Sequence, residues 1–115
     1  MFIDAHIGYL DDPDFDFFGG NPNGNIPQRI SPFLPDDHKL LEKLWEMSRY
    51  GDEGVRQLDW GAWGKIFSKQ DLIDFLTSFY AKKVESTELM EFISGLDPNR
   101  TYVLVVYETG EDYGD

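Results

Sequence analysis

A chain of 115 residues fits one domain and can bury one hydrophobic core without a metal or a crosslink. Its 22 acidic and 10 basic residues give a net charge of -12, which argues against direct binding to nucleic acid or to anionic membranes. The absence of cysteine excludes disulfides, thiolate metal sites and a cysteine nucleophile, while an aromatic share of 16% argues against disorder.

Residues 2–9 (FIDAHIGY) alternate in polarity and predict a half-buried strand. The odd-numbered residues from Ile3 to Tyr9 form its apolar set, and the even-numbered residues form the other face. Asp4 and His6 share that other face, where a carboxylate and an imidazole can pair as a general base. Because no nucleophile motif accompanies the pair, the sequence favours an ordinary surface or edge histidine at position 6.

Residues 11–36 predict a long loop, because most of the prolines and several glycines lie there and break regular structure. We expect this loop to wrap around the body and pack against it, with a short strand at residues 14–18. The large apolar side chains that motivate this expectation are Phe15, Phe17, Phe18, Ile26, Ile30, Phe33 and Leu34.

The start of this loop combines acidic and aromatic residues. A calcium-binding loop is disfavoured, because the EF-hand pattern fails in both possible alignments. When it begins at Asp12, Phe17 stands where glycine is needed and Asn23 where glutamate is needed. When it begins at Asp14, Phe18 stands at a ligand position and Asn25 replaces the glutamate. Aromatic anchors ringed by charge are common at the centres of protein interfaces. The candidate interaction surface therefore comprises Asp11, Asp12, Asp14, Phe15, Asp16, Phe17 and Phe18.

Three later segments have helical periodicity. Residues 37–50 predict a helix capped by Asp36, residues 69–82 a helix capped by Ser68, and residues 87–94 a shorter helix. The predicted inner faces are Leu40, Leu41, Leu44, Trp45 and Ser48 in the first, Leu72, Ile73, Phe75, Leu76, Phe79 and Tyr80 in the second, and Leu89, Met90, Phe92 and Ile93 in the third.

Two further segments predict strands. Residues 58–67 (LDWGAWGKIF) alternate and predict one strand with a bulge at a glycine. Trp60 and Trp63 would then point to opposite faces, which favours a structural role over a shared ligand cleft. Residues 101–108 (TYVLVVYE) are continuously apolar, as in a central strand covered on both faces.

The predicted fold class is α+β: a small sheet of three strands, or four, with about three helices packed on it, in the order β, long loop, α, β, α, α, β. Residues 1–115 form a single domain, and the acidic tail 110–115 is expected to fray. The start of the chain lacks the features of a signal peptide, and no apolar run reaches the ~20 residues of a membrane span, so we predict a cytoplasmic protein.

The leading hypothesis is a non-enzymatic interaction module that docks on a protein with a basic surface and uses no cofactor or metal. Size, acidity and lack of cysteine are shared with small bacterial immunity proteins and other inhibitors, although no motif carries that resemblance. Glu85, Glu88 and Glu91, with Glu108, Glu111 and Asp112 downstream, could belong to an anionic face for such a partner, although such charges more often only keep a helix face in solvent. The alternative is a small enzyme or ligand-binding protein whose pocket lies under the 11–36 loop. The residues of this alternative pocket are Asp4, His6, Tyr9 and Trp63.

A third hypothesis is a homo-oligomer that pairs through an exposed edge strand.

Overall fold

The protein, seen as a computed structural model, is described over residues 2–19, 26–52, 54–59, 61–85 and 87–109. Within these ranges an antiparallel sheet of four strands packs with three α-helices, which confirms the α+β class. The elements are β1 (Ile3–Tyr9), α1 (Asp37–Arg49), β2 (Val55–Asp59), β3 (Ala62–Ser68), α2 (Lys69–Tyr80), a 3₁₀-helix (Ala81–Glu85), α3 (Thr87–Ser94) and β4 (Thr101–Glu108). The strand order across the sheet is β1-β4-β3-β2.

Strand β4 lies inside the sheet, between β1 and β3, as its apolar sequence predicts. The four residues from Val103 to Val106 are fully buried. Leu104 and Val106 belong to the core on the helix side of the sheet, while Val103 and Val105 belong to a second core on the opposite side. The continuous apolar run therefore reflects burial on both faces.

The second core is covered by the loop rather than by helices. Phe15 and Phe17 of the loop pack there with Leu58 of β2 and Ala62 of β3. Within the described part of the loop, Phe15, Phe17 and Leu34 are buried, whereas Phe18 and Phe33 are exposed. The short strand predicted at residues 14–18 is wrong, because that segment turns instead of pairing with the sheet.

Residues 26–34 of the same loop run along the outer edge of β1. The N–H of Ile30 donates to the Ile7 carbonyl (2.9 Å), and the N–H of Leu34 donates to the Ala5 carbonyl (2.8 Å). A Cβ atom on Gly8 would lie 2.7 Å from Cβ of Pro27, so glycine permits this close approach. The prediction of a half-buried β1 is therefore wrong at His6 and Gly8, which the loop buries.

The single strand predicted over residues 58–67 is also wrong, because these residues belong to the hairpin of β2 and β3. Gly61 has φ 78°, a left-handed conformation suited to a tight turn. The bulge lies between Gln57 and Asp59, not at a glycine. Trp60 lies outside the described residues. Both arms of the hairpin alternate in polarity, so the pattern alone did not reveal the reversal.

The helix boundaries follow the predictions closely. Ser68 caps α2, and its Oγ accepts a hydrogen bond from the Asp71 N–H (3.2 Å). Asp36 occupies the N-cap position of α1 but has φ 56° and makes no capping hydrogen bond through its side chain. Helix α2 was predicted to end at residue 82 but ends at Tyr80. The next residue, Ala81, takes φ 49° and begins the 3₁₀-helix.

Two residues assigned to inner helix faces lie largely in solvent. Trp45 of α1 is 48% exposed and Met90 of α3 is 47% exposed. Leu40 and Leu44 form the buried line of α1, and Leu89 is the buried residue of α3. The buried line of each helix is therefore narrower than its apolar stripe. No helix within the described residues is both long and apolar enough to cross a bilayer. The acidic tail 110–115, which was predicted to fray, lies outside the described residues.

Candidate functional site

His6, the centre of the alternative pocket, is buried beneath the loop with 3% of its surface exposed. Its Nε2 lies 2.9 Å from the Pro27 carbonyl oxygen, and its Nδ1 lies 3.2 Å from the Tyr107 hydroxyl. Because a carbonyl only accepts, Nε2 carries the proton and donates, and Nδ1 accepts from Tyr107. Both ring nitrogens are thus engaged, so the predicted pairing of His6 with Asp4 does not form.

The alternative pocket is not assembled as predicted, because its residues lie on two faces of the sheet. His6 pairs across the strands with Val105 and points to the loop side. Trp63 pairs with Val106 and packs on the helix side. Since cross-strand partners point to the same face, the imidazole and the indole are separated by the sheet itself.

Burial makes the stability of the protein dependent on pH through His6. Loss of solvation lowers the pKa of His6 below its ordinary value of 6.5, so the folded state favours the neutral ring. The neutral ring therefore contributes its whole stabilisation above pH 6.5, the pKa in the unfolded state, and this contribution to the free energy of unfolding is lost as pH falls through the lower pKa of the folded state. Urea unfolding between about pH 7.5 and 5 should show this loss. The variant His6→Gln can still donate a hydrogen bond to Pro27 but does not titrate, so its stability should change less over this pH range. If the variant shows the same pH dependence as the wild type, His6 is not the group responsible.

The acidic residues of the predicted interaction surface mainly stabilise the loop. Asp12 accepts the N–H groups of Asp14 (2.9 Å) and Gln28 (2.7 Å) through its two oxygens. Asp16 accepts the N–H groups of Phe18 (3.0 Å) and Gly19 (2.9 Å) through one oxygen. Such carboxylate-to-backbone bonds close turns, so these side chains hold the conformation of the loop.

A cleft of about 460 Å³ opens beside these carboxylates at one end of the sheet. Arg100 lies 3.6 Å from the ring centroid of Tyr9, and its guanidinium donates to Asp11 (2.9 Å). Arg100 and Asp11 of the cleft are therefore already paired with each other, and Asp12 is bonded to the backbone. Within the described residues, no group of three or more His, Cys, Asp or Glu side chains is placed to hold a metal ion. The lining residues are Tyr9, Asp11, Asp12, Pro13, Asp14, Gln28, Ile30 and Arg100.

The aromatic anchors predicted in the loop are mostly unavailable to a partner. Phe15 and Phe17 are buried in the core on the loop side. Phe18 is 70% exposed and rests edge-on against Phe17, with ring centroids 5.1 Å apart. Of the three rings in the predicted interaction surface, Phe15 and Phe17 therefore cover the second face of the sheet, and Phe18 is the one that is exposed.

A different aromatic surface lies open on the helix side, between α1 and the hairpin of β2 and β3. Two adjoining cavities of about 260 and 250 Å³ share Leu41 and Trp63. The first is completed by Trp45 and Glu42 of α1. We call this surface the indole groove; its residues are Leu41, Glu42, Trp45, Gln57, Gly61, Trp63 and Glu108.

The indole groove follows from the way α1 crosses the sheet. Leu40 and Leu44 are fully buried against the sheet. Leu41 and Trp45, each one position further along the chain, lie one helical turn apart on the flank of that buried line. Trp63, placed opposite Gln57 by the register of the hairpin, forms the sheet side of the groove. The helix and the hairpin diverge there and leave apolar surface uncovered.

Carboxylates border the groove. Glu42 lies on the α1 side and Glu108 on the hairpin side. A Cβ atom on Gly61 would lie 2.9 Å from Cδ of Glu108, so the glycine leaves the space that this carboxyl group occupies. The N–H of Glu108 donates to the Gly61 carbonyl at 3.0 Å. The guanidinium of Arg49 lies 4.8 Å from the Trp45 ring centroid, so this indole already contacts a cation.

The sequence did contain one indication of this groove. The apolar stripe predicted on α1 is wider than the strip of helix surface that can be buried against a sheet, so part of the stripe has to remain exposed. Periodicity assigned Trp45 to the core and could not place it beside Trp63. Glu108 was predicted within an anionic face, but its position against Gly61 follows from the hairpin. Comparison with protein-family models, curated proteins and solved structures gives no match. The function therefore has to be inferred from geometry and charge.

Proposed function

We propose that this protein is a non-enzymatic interaction protein that docks on a basic protein partner through the indole groove. The observation that carries the proposal is the exposed apolar groove between Trp45 and Trp63, bordered by Glu42 and Glu108. Tryptophan is among the residues that contribute most binding energy at protein interfaces. A carboxylate border around such anchors matches a partner of opposite charge.

The charge of the whole chain supports a basic partner. A net charge of -12 attracts cationic surfaces over several ångströms and raises the rate of encounter at low salt. The same charge opposes pairing of two copies through this acidic face. It also supports the inhibitor version of the proposal, in which the protein neutralises a basic enzyme or toxin in the manner of an immunity protein.

The burial of His6 and of two loop phenylalanines moves the proposed docking surface from the loop to the helix side. The alternative of an enzyme site near His6 loses its geometric support, since both ring nitrogens are engaged and Trp63 lies across the sheet. The acidic loop retains a supporting role, because Asp11 and Asp14 add negative charge to the same molecule.

Affinity capture from the native host tests the proposal with three baits: the wild-type protein, Trp45→Ala, and Phe18→Ala. Phe18 is a matched control, because it is an exposed aromatic residue outside the groove. We expect a basic protein that binds the wild type and Phe18→Ala, and whose affinity for Trp45→Ala is weaker by about 30-fold, as at an interface hot spot.

The salt dependence of the purified pair completes this test. The association rate should fall as ionic strength rises, because the Debye length shortens. Equal binding to all three baits would show that the groove is not the docking surface. An association rate insensitive to salt would remove the electrostatic part of the proposal.

A further inference from the structure

We infer that the indole groove receives a single arginine or lysine side chain from the partner, with its aliphatic stem against the indoles and its cationic head beside Glu108. This inference rests on the proposed function and specifies the chemistry of the contact. It depends on how apolar and charged groups are distributed along the groove.

The α1 half of the groove suits an aliphatic stem. The first cavity is lined by Leu41, Trp45 and Trp63 together with Glu42, and its surface is almost entirely apolar. Its volume of about 260 Å³ is below the roughly 300 Å³ at which small-molecule sites usually begin. A long unbranched side chain matches this space better than a cofactor does, and arginine and lysine bury their methylene stems along such surfaces.

The hairpin half of the groove suits a cationic head. Gln57 and Glu108 present an amide and a carboxylate beside Trp63 in the second cavity. Because Gly61 has no side chain, the carboxyl group of Glu108 can lie over the turn rather than extend away from it. A head group that passes Trp63 therefore meets an indole ring on one side and a carboxylate on the other, which favours a cation over a neutral group.

The charges that border the groove also decide between possible occupants. A second copy of the chain would bring its own Glu42 and Glu108 together with a net charge of -12, and an acidic partner would likewise meet Glu42 and Glu108 without compensation. Within the molecule, Arg49 stacks on Trp45 but does not line either cavity. This contact shows that the indole accepts a guanidinium while the groove itself remains open.

Titration of the whole protein with blocked single amino acids tests the inference, observed through the indole N–H signals in NMR spectra. The probes are the N-acetyl amides of arginine and lysine, with those of citrulline and norleucine as neutral controls of similar length. We expect arginine and lysine to shift the signals of Trp45 and Trp63, assigned with Trp45→Phe and Trp63→Phe. Citrulline and norleucine should bind at least about 5-fold more weakly, as the loss of a cation–π contact and an ion pair implies.

Two matched variants separate the head-group contact from general charge. Glu108→Gln should weaken arginine binding about 2- to 5-fold, whereas Glu88→Gln, on α3 and away from the groove, should leave it unchanged. Equal shifts by norleucine and arginine, or equal effects of the two variants, would overturn the inference. If the partner fails to bind the Trp45→Ala bait but binds the Glu108→Gln bait as tightly as the wild type, this inference is overturned while the proposed docking surface stays in place.

Discussion

Replacing Phe17 by alanine is expected to lower the free energy of unfolding by about 3–5 kcal/mol, the usual cost of removing a buried phenyl ring. Phe17 is 3% exposed and packs in the loop-side core with Phe15 and Val103. Its loss would leave a cavity between the loop and β4 that neither can close without moving. Urea unfolding followed by far-ultraviolet circular dichroism measures the change.

The neighbouring residue provides the control. Phe18→Ala removes a ring that is mostly in solvent and touches Phe17 edge-on, so its cost should stay below about 1.5 kcal/mol, the upper range of an aromatic pair. Similar losses for the two variants would mean that the loop is not packed as described. A stable Phe17→Ala protein would return that ring to the list of exposed anchors for a partner.

Leu104→Ala is expected to cost about 2–5 kcal/mol, because it removes methyl groups from the most enclosed strand. Leu104 is fully buried on β4, with Ile7 and Lys65 opposite it on β1 and β3. With domains of this size stable by about 5–15 kcal/mol, the variant should lose a large part of its stability. Thermal and urea unfolding should both shift.

Met90→Ala is a suitable comparison, because helical periodicity predicts Met90 on an inner face, just as the continuous apolar run predicts a buried Leu104. In the fold Met90 is 47% exposed, so its replacement should change stability by less than about 0.5 kcal/mol. A loss at Met90 as large as that at Leu104 would indicate that α3 packs differently from the described structure.

The two comparisons also bear on function. If Phe17 is structural and Phe18 contributes little, the loop serves as a cover for the second face of the sheet. The exposed aromatic surface then lies with Trp45 and Trp63, where Glu42 and Glu108 border it. A role in binding and a role in stability would thus be divided between the two faces of one sheet.

Local chemistry was sufficient to predict most of the elements. The apolar run of residues 101–108 identified the central strand, because only a strand covered on both faces can bury every side chain. Ser68 and the stripe that follows it identified α2, since a capping hydroxyl satisfies N–H groups of the first turn. The prolines of residues 11–36 identified the loop, because proline removes backbone donors wherever it occurs.

Tertiary structure alone decided which surfaces were covered and which remained open. The burial of His6 under Pro27 and the exposure of Trp45 depend on contacts between residues far apart in the chain. The reversal at Gly61 is a local turn, but the polarity pattern does not reveal it because both arms of the hairpin alternate. A polarity pattern reports that a side chain is apolar and which way it points, but not whether another segment lies above it. The sequence by itself determined the three helices, the strands β1 and β4 and the net charge, whereas the packing of α1 against the hairpin determined that two indoles and two carboxylates would share one groove.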